Sequence, residues 1–165
     1  MGWIESIYKK AFPSLISIEE NTEKITQKQG VDFYLYIKAP KPIKLEVKDR
    51  YYDYPDILLE DYSCWERRTP GWARDMSKVT DYLSYIVHPR KEIFMFYYLA
   101  LRRYFLSEYD RLFDCYVKHS KTGTYIWGKT LDREREILYK TANIPVPLSD
   151  FPRGWLLKNC WRYRA

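Results

Sequence analysis

Two strand-like segments joined by a proline-containing turn constrain this chain more than any other feature. The first, VDFYLYIK, covers residues 31–38, and the second, IKLEVKDRYY, covers residues 43–52, with APKP between them. Both are rich in β-branched and aromatic residues, which favour strands, whereas prolines mark turns. The sequence therefore predicts two neighbouring strands that pair as an antiparallel hairpin.

The charged residues of these segments include Asp32, Glu46 and Lys48. Because side chains alternate between the two faces of a strand, Glu46 and Lys48 lie on one face, and Leu45 and Val47 on the other. Hairpin pairing brings Asp32 toward the far end of the second strand. Two carboxylates and an ammonium suit a magnesium-dependent phosphodiesterase, in which oxygens bind the ion and a cation holds the phosphate. The alternative is a half-exposed strand whose charges face solvent.

The rest of the chain reads as further strands and helices of one continuous domain. Its 165 residues are enough for a sizeable core. The segments NTEKITQKQG and ERRTPGWARD read as polar connections. The other predicted elements are a helix in GWIESIYKKAF, strands in SLISIEE, PDILLEDYSCW, DYLSYIVH and EIFMFYYLAL, a helix in LRRYFLSEYDRLF, a hairpin in CYVKHSKTGTYIWGK about Thr122-Gly123, and a tail, NIPVPLSDFPRGWLL, whose prolines keep it irregular until its last few residues.

The charge balance favours an anionic partner. The formal net charge is +6, and several arginines stand beside Trp or Tyr, as in CWERR and CWRYR. Guanidinium groups and aromatic rings together suit phosphates and bases, so DNA is an expected partner, although ordinary solubility charge explains the same balance. The candidate nucleic-acid-binding residues are Arg67, Arg68, Arg74 and Lys121.

Several classes of site and location are disfavoured by motifs that the sequence lacks. Its three cysteines are widely spaced and form no C-x-x-C pair, so neither a zinc site nor a disulfide framework is indicated. There is no glycine-rich phosphate loop and no G-x-S-x-G motif. Early charges argue against a signal peptide, and no apolar run reaches the length of a membrane span. We expect no membrane association and a cytoplasmic location, which is the host cell interior if the protein is viral.

The order of a first helix, an acid opening one strand and E-x-K on the next resembles the PD-(D/E)XK nuclease superfamily. Here Val31-Asp32 stands in place of Pro-Asp, and Glu46-Val47-Lys48 is the (D/E)XK part. More narrowly, NTEKITQKQGVD, LEVK, ILLEDYS, PGWARD and DYLSYIV are similar to features of small nuclease-like proteins of phages and other mobile elements. The resemblance covers about residues 1–100 and leaves a C-terminal elaboration at about 104–165.

The resemblance implies a fold and a set of roles. The fold is a single α/β domain over residues 1–165, with a restriction-endonuclease-like core in which a central mixed β-sheet is flanked by α-helices. Asp32 and Glu46 would bind Mg²⁺ or Mn²⁺, the carbonyl of Val47 would complete the coordination, and Lys48 would orient the attacking water and stabilise developing charge. The weaker catalytic candidates are Glu5 on the first helix, with Glu19 and Glu20 competing for its role, Gln27 and Glu60.

The function implied is hydrolysis of DNA phosphodiesters by a magnesium-dependent nuclease, leaving a 5′-phosphate. Such an enzyme, phage- or virus-encoded, would act in DNA repair, recombination, replication or restriction, and a homodimer is common where two strands are cut. Two alternatives belong to other classes. One is a catalytically inactive nucleic-acid-binding protein that uses the basic and aromatic face, and the other is a viral structural or partner-binding protein.

Overall fold

The computed structural model describes residues 2–131 and 136–165, which form a mixed α/β structure. Within these residues, no helix is both long and apolar enough to span a membrane. The helices and strands, in chain order, are α1 (Gly2–Ala11), β1 (Leu15–Glu20), α2 (Lys24–Lys28), β2 (Phe33–Ile37), β3 (Ile43–Arg50), β4 (Asp56–Cys64), β5 (Thr69–Pro70), β6 (Tyr82–Val87), β7 (Glu92–Tyr97), α3 (Tyr98–Ser107), α4 (Tyr109–Phe113), β8 (Ile126–Leu131), β9 (Ile137–Pro147), α5 (Arg153–Asn159) and β10 (Cys160–Arg164).

The contacts divide the chain into two compact units, and both are discontinuous in sequence. The first unit contains the residues up to Tyr54, Ser77–Ala100 and Pro152–Ala165. The second unit contains Pro55–Met76 and Leu101–Phe151. The segment around β4 therefore belongs to the second unit, and the last 14 residues, 152–165, belong to the first.

The first unit is built on a six-stranded mixed sheet in the order β1-β2-β3-β6-β7-β10. The predicted hairpin is present, since β2 and β3 pair antiparallel with Phe33 opposite Leu45 and Leu35 opposite Ile43. Strand β6 then lies parallel to β3, with Glu46 opposite Leu83. The other neighbouring pairs are antiparallel. The predicted α/β class, with a mixed central sheet flanked by helices, is confirmed.

One face of this sheet forms the apolar core beneath α1. Ile7 and Tyr8 of α1 are buried against Leu35, Leu45 and Met95 of the sheet. Each such side chain removed from water contributes roughly 1.5–3 kcal/mol of favourable free energy. Because Leu45 faces this core, the alternation of β3 directs Glu46 and Lys48 to the opposite face of the sheet.

The second unit contains a four-stranded antiparallel sheet in the order β5-β4-β9-β8. Its most buried charged group is Asp61, which is fully inaccessible to solvent. Its carboxylate pairs with Arg74 Nε at 2.7 Å and accepts hydrogen bonds from the hydroxyls of Tyr109 at 2.9 Å and Tyr125 at 2.7 Å. Burial raises the pKa of Tyr125, and its hydrogen bonds with Tyr109 and Asp61 raise it further. The buried negative charge of Asp61 is therefore compensated by one arginine and two hydroxyl donors.

The predicted irregular tail is wrong, because NIPVP belongs to the long strand β9. Pro145 pairs with Leu58 and Pro147 with Asp56 of β4, whereas the pairing of β9 with β8 stops at Asn143. Beyond Asn143, the described strand that pairs with β9 is β4. The two prolines therefore remove no hydrogen bond between β9 and β8. The strand β10, in CWRYR, was also not predicted.

The predicted hairpin about Thr122-Gly123 is wrong as well. A turn does occur there, with Gly123 at a φ of +61°. However, the preceding residues Asp114–Lys118 form a π-helix that continues α4 and buries Val117. The segment after the turn forms β8, which pairs with β9. The preference of this segment for a strand is therefore outweighed by the continued helix, in which Val117 is buried.

The cysteines differ in environment, and this difference gives a testable prediction. Cys115 is exposed. Burial raises the pKa of the Cys160 thiol to about 12, and the nearby charge of Arg162 offsets only part of that rise. At pH 8 roughly one Cys160 thiol in ten thousand is ionised, and the thiolate is the reactive form. We expect iodoacetamide to label Cys115 in the folded protein and Cys160 only after unfolding, as measured by mass spectrometry of the peptides. Equal labelling rates in the folded protein would contradict this assignment.

Candidate active site

Asp32 lies directly before β2 and is joined to β3 through both its backbone and its side chain. Its backbone N–H donates to the carbonyl of Leu45 at 2.9 Å. Its carboxylate Oδ2 accepts a hydrogen bond from the backbone N–H of Val47 at 2.7 Å. The Asp32 side chain therefore accepts a backbone hydrogen bond of β3 that a carbonyl of a neighbouring strand would otherwise accept. The structure thus brings Asp32 to the segment that carries Glu46 and Lys48.

The loop before Asp32 is organised by Asn21, which is almost completely buried. The side-chain amide of Asn21 donates to the carbonyl of Val31 at 2.6 Å and to Thr26 Oγ1 at 2.8 Å, and its backbone N–H donates to the carbonyl of Asp32 at 2.8 Å. Gln27 Nε2 donates to the carbonyl of Asn21 at 2.5 Å. Gln27, a predicted catalytic candidate, therefore closes the loop that presents Asp32.

Glu46 and Lys48 form an ion pair on the face of β3 opposite the apolar core. Glu46 Oε1 lies 2.9 Å from Lys48 Nζ, and the side chain of Glu46 is only 2% exposed whereas that of Lys48 is 35% exposed. The second oxygen, Glu46 Oε2, is buried and has no hydrogen-bond partner among the described residues. A buried carboxylate oxygen without a protein donor is costly, so this atom is a candidate ligand for a cation or a water molecule.

Gly30 lies directly against this oxygen. Its φ is +81°, and a Cβ built on it would lie 2.7 Å from Glu46 Oε2 and 2.8 Å from Cδ of Lys78. Lys78 in turn donates from Nζ to the carbonyl of Lys28 at 3.1 Å. The backbone at Gly30 and the stem of Lys78 therefore help to enclose the Glu46 carboxylate, and only glycine allows this close approach.

The carbonyl of Val47 faces the same side as Asp32. The N–H and C=O groups of one strand residue point toward the same neighbouring strand. Because the N–H of Val47 binds the Asp32 carboxylate, its C=O also points toward the β2 edge. Two carboxylates and one carbonyl are oxygen ligands of the kind that magnesium prefers. The described part of the chain contains no group of three or more His, Cys, Asp or Glu side chains arranged to bind a metal.

The remaining catalytic candidates, Glu5 and Glu60, belong to α1 and β4. Glu5 is on the exposed surface of α1, paired with Lys9 Nζ at 2.8 Å, and the hydrogen bond and charge of Lys9 lower the pKa of Glu5. Glu60 belongs to β4 in the second unit, where its Oε1 accepts a hydrogen bond from the backbone N–H of Trp72 at 3.3 Å. The structure therefore joins Asp32 to Val47, the residue between Glu46 and Lys48, and places Glu5 on the exposed surface of α1.

The predicted nucleic-acid-binding residues all belong to the second unit, and they differ in accessibility. Arg67, Arg68 and Lys121 are exposed in turns. The guanidinium carbon of Arg68 lies 3.5 Å from the centroid of the Trp65 ring, which is a close cation–π contact. Arg74 is engaged with buried Asp61, so it has a role in the packing of the second unit.

Sequence reasoning missed Gly30, Lys78 and the loop that follows β3. Lys78 could not be placed because it is far from Glu46 in sequence. The loop had a visible signal, since three of its five residues, Tyr51 to Pro55, are tyrosines. In the prediction, Tyr51 and Tyr52 were assigned to the strand. The structure ends β3 at Arg50 and exposes the tyrosines.

Comparison with protein-family models, with curated proteins and with solved structures gave no significant match. The functional interpretation therefore depends on the chemistry of the residues themselves.

Proposed function

We propose that this protein is a metal-dependent nuclease that hydrolyses phosphodiester bonds of DNA at a site formed by Asp32, Glu46 and Lys48. One observation carries the proposal. Glu46 Oε2 is buried without a hydrogen-bond partner among the described residues, beside a lysine and one residue from the backbone group that binds Asp32. A strand charge that merely faces solvent would be hydrated at both oxygens. An enclosed carboxylate oxygen with no protein donor fits a cation ligand.

Each protein group has a distinct part in this proposal. Asp32, Glu46 and the carbonyl of Val47 would hold Mg²⁺ or Mn²⁺. The bound ion would supply an activated water and neutralise charge on the phosphate. The Val47 N–H fixes the orientation of the Asp32 carboxylate, as the 2.7 Å hydrogen bond shows. Preorganised groups of this kind need little rearrangement during the reaction, which is the main source of electrostatic catalysis.

Lys48 is the more accessible member of its ion pair with Glu46. Its side chain is 35% exposed, whereas that of Glu46 is 2% exposed. The carboxylate of Glu46 holds the ammonium from one side, and the accessible part of Lys48 can approach a phosphate oxygen. A cation in that position would stabilise the additional negative charge of the transition state. The arrangement of a mixed sheet with Asp32 before one strand and Glu46 and Lys48 on the next also supports the resemblance to PD-(D/E)XK nucleases.

Cleavage of a labelled panel tests this function. The panel contains single-stranded, duplex, flap and four-way-junction DNA, supercoiled circles and single-stranded RNA, each with Mg²⁺, with Mn²⁺ or with chelator. The native protein is compared with Asp32→Asn, Lys48→Gln and the control Lys41→Gln, which makes the same charge change at an exposed turn lysine. We expect cleavage only with metal, loss of cleavage in the first two variants, and native activity in the control.

The opposite result has a clear meaning. If no substrate is cut, and both site variants fold and bind nucleic acid as the native protein does, then the three charges have no catalytic role. A nucleic-acid-binding protein without hydrolytic activity would then be the better description, and the contact of Arg68 with Trp65 would be the first surface to examine.

A further inference from the structure

The loop between β3 and β4 exposes aromatic rings beside arginines. Tyr52 is 70% exposed and Tyr54 is 52% exposed, although large aromatic side chains usually bury much of their surface. The two ring centroids are 6.4 Å apart. The guanidinium carbon of Arg50 lies 5.1 Å from the centroid of the Tyr54 ring, within the range of a cation–π contact.

Arg90 holds this loop in place. Its Nη2 donates to the carbonyl of Tyr54 at 3.3 Å, and its Nε pairs with Asp53 at 3.0 Å. Arg90 therefore holds the loop through the Tyr54 carbonyl and the Asp53 side chain, while the rings of Tyr52 and Tyr54 remain exposed. Because ring positions that are fixed in advance lose less entropy on binding, such a loop is suited to recognition.

The tyrosines continue the line of charges along β3. Glu46, Lys48 and Arg50 alternate onto the same face of the strand, and successive members are separated by about 7 Å at a rise of about 3.3 Å per residue. A chain that places one phosphate on Lys48 could therefore place another on Arg50 and then reach the ring of Tyr54. Arg90 is already paired with Asp53 and Glu92, so Arg50 supplies the positive charge that a phosphate would meet on this surface.

We propose that Arg50, Tyr52 and Tyr54 bind a single-stranded segment of nucleic acid, with bases stacked on the two rings and a phosphate on Arg50. This inference rests on the proposed nuclease site, and it assigns a single-stranded region as the substrate beside the scissile phosphate. Single-stranded bases present a free face for stacking, and aromatic side chains stack on them with little sequence preference. In a duplex those faces are covered by neighbouring base pairs.

Fluorescence anisotropy in the presence of chelator tests this inference without cleavage. A labelled single-stranded oligothymidine and a labelled duplex are titrated with the native protein, the double variant Tyr52→Ala/Tyr54→Ala, the double variant Tyr52→Phe/Tyr54→Phe and the control Tyr97→Ala, a tyrosine of β7 that is 42% exposed. We expect about tenfold weaker single-strand binding for each ring removed. Duplex binding should be unchanged, and the phenylalanine variant and Tyr97→Ala should bind as the native protein does.

Three outcomes would overturn the proposal, and the first two concern single-strand binding itself. One is that the native protein binds no single strand in chelator, and the other is that the alanine variant binds it as tightly as the native protein. Equal losses on single strand and duplex would also overturn it, because they indicate a general charge or folding effect. Cleavage measured separately distinguishes the two proposals. Specific single-strand binding without any metal-dependent cleavage would reject the nuclease and keep the loop as a binding site.

Discussion

Replacing Glu46 with glutamine is expected to reduce metal-dependent cleavage by about 100- to 1000-fold while the protein stays folded. The substitution keeps the shape of the side chain but removes the charge that would bind the cation. Its effect on stability should be small, within about 1 kcal/mol, because a buried charge is removed together with its desolvation cost. Lys48, which then loses the negative charge of Glu46, is 35% exposed and can reach water.

Cleavage rate and thermal unfolding, measured on the same preparations, check this prediction. Glu23→Gln is a matched control, because Glu23 is an exposed glutamate of the same unit. It should retain native cleavage and a native unfolding midpoint. If Glu46→Gln cuts as fast as the native protein, Glu46 binds no catalytic cation. If Glu46→Gln unfolds, the pair with Lys48 is chiefly structural.

Gly30→Ala is expected to damage both stability and cleavage. Its φ of +81° disfavours any residue with a Cβ, and that Cβ would lie 2.7 Å from Glu46 Oε2 and 2.8 Å from Cδ of Lys78. Backbone strain at such a position costs about 1–3 kcal/mol, and the steric conflict adds to it. Relief requires movement of the Glu46 carboxylate, so cleavage should fall even at temperatures where the variant is folded.

The chain offers a control that separates strain from contact. Gly123 also has a positive φ, +61°, but a Cβ there would meet nothing within 4 Å. Gly123→Ala should therefore show the cost of strain alone, with native cleavage. Urea unfolding and cleavage rates of both variants provide the comparison. If Gly30→Ala behaves as Gly123→Ala does in both measurements, the backbone at Gly30 does not position Glu46.

The hairpin of β2 and β3 was predictable because its signals are local. Strand-forming residues, the proline-containing turn and the alternation of Glu46 with Val47 all lie within about twenty positions of one another. The same local signals placed Asp32 near the second strand, and the hydrogen bond to Val47 shows the contact that results. In this region, local pattern and tertiary structure agree.

The remaining pairings depend on contacts between distant residues. Nothing near β3 indicates that β6 lies parallel to it, or that the edge strand β10 joins β7. The prolines of β9 predict an irregular segment, because the sequence does not show that Pro145 and Pro147 lie beyond the end of the pairing with β8. The enclosure of Glu46 likewise depends on Lys78, whose position relative to Gly30 is set by the tertiary fold.

Binding of Mn²⁺ to the native protein and to Asp32→Asn, followed by electron paramagnetic resonance, tests the central claim most directly. Asparagine keeps an oxygen that can accept the hydrogen bond from Val47, so the variant should keep the local fold while losing one charged ligand. We expect the native protein to bind Mn²⁺ at one site and Asp32→Asn to bind it at least tenfold more weakly. Equal binding by the two proteins, or no binding by either, would contradict a metal site at Asp32 and Glu46.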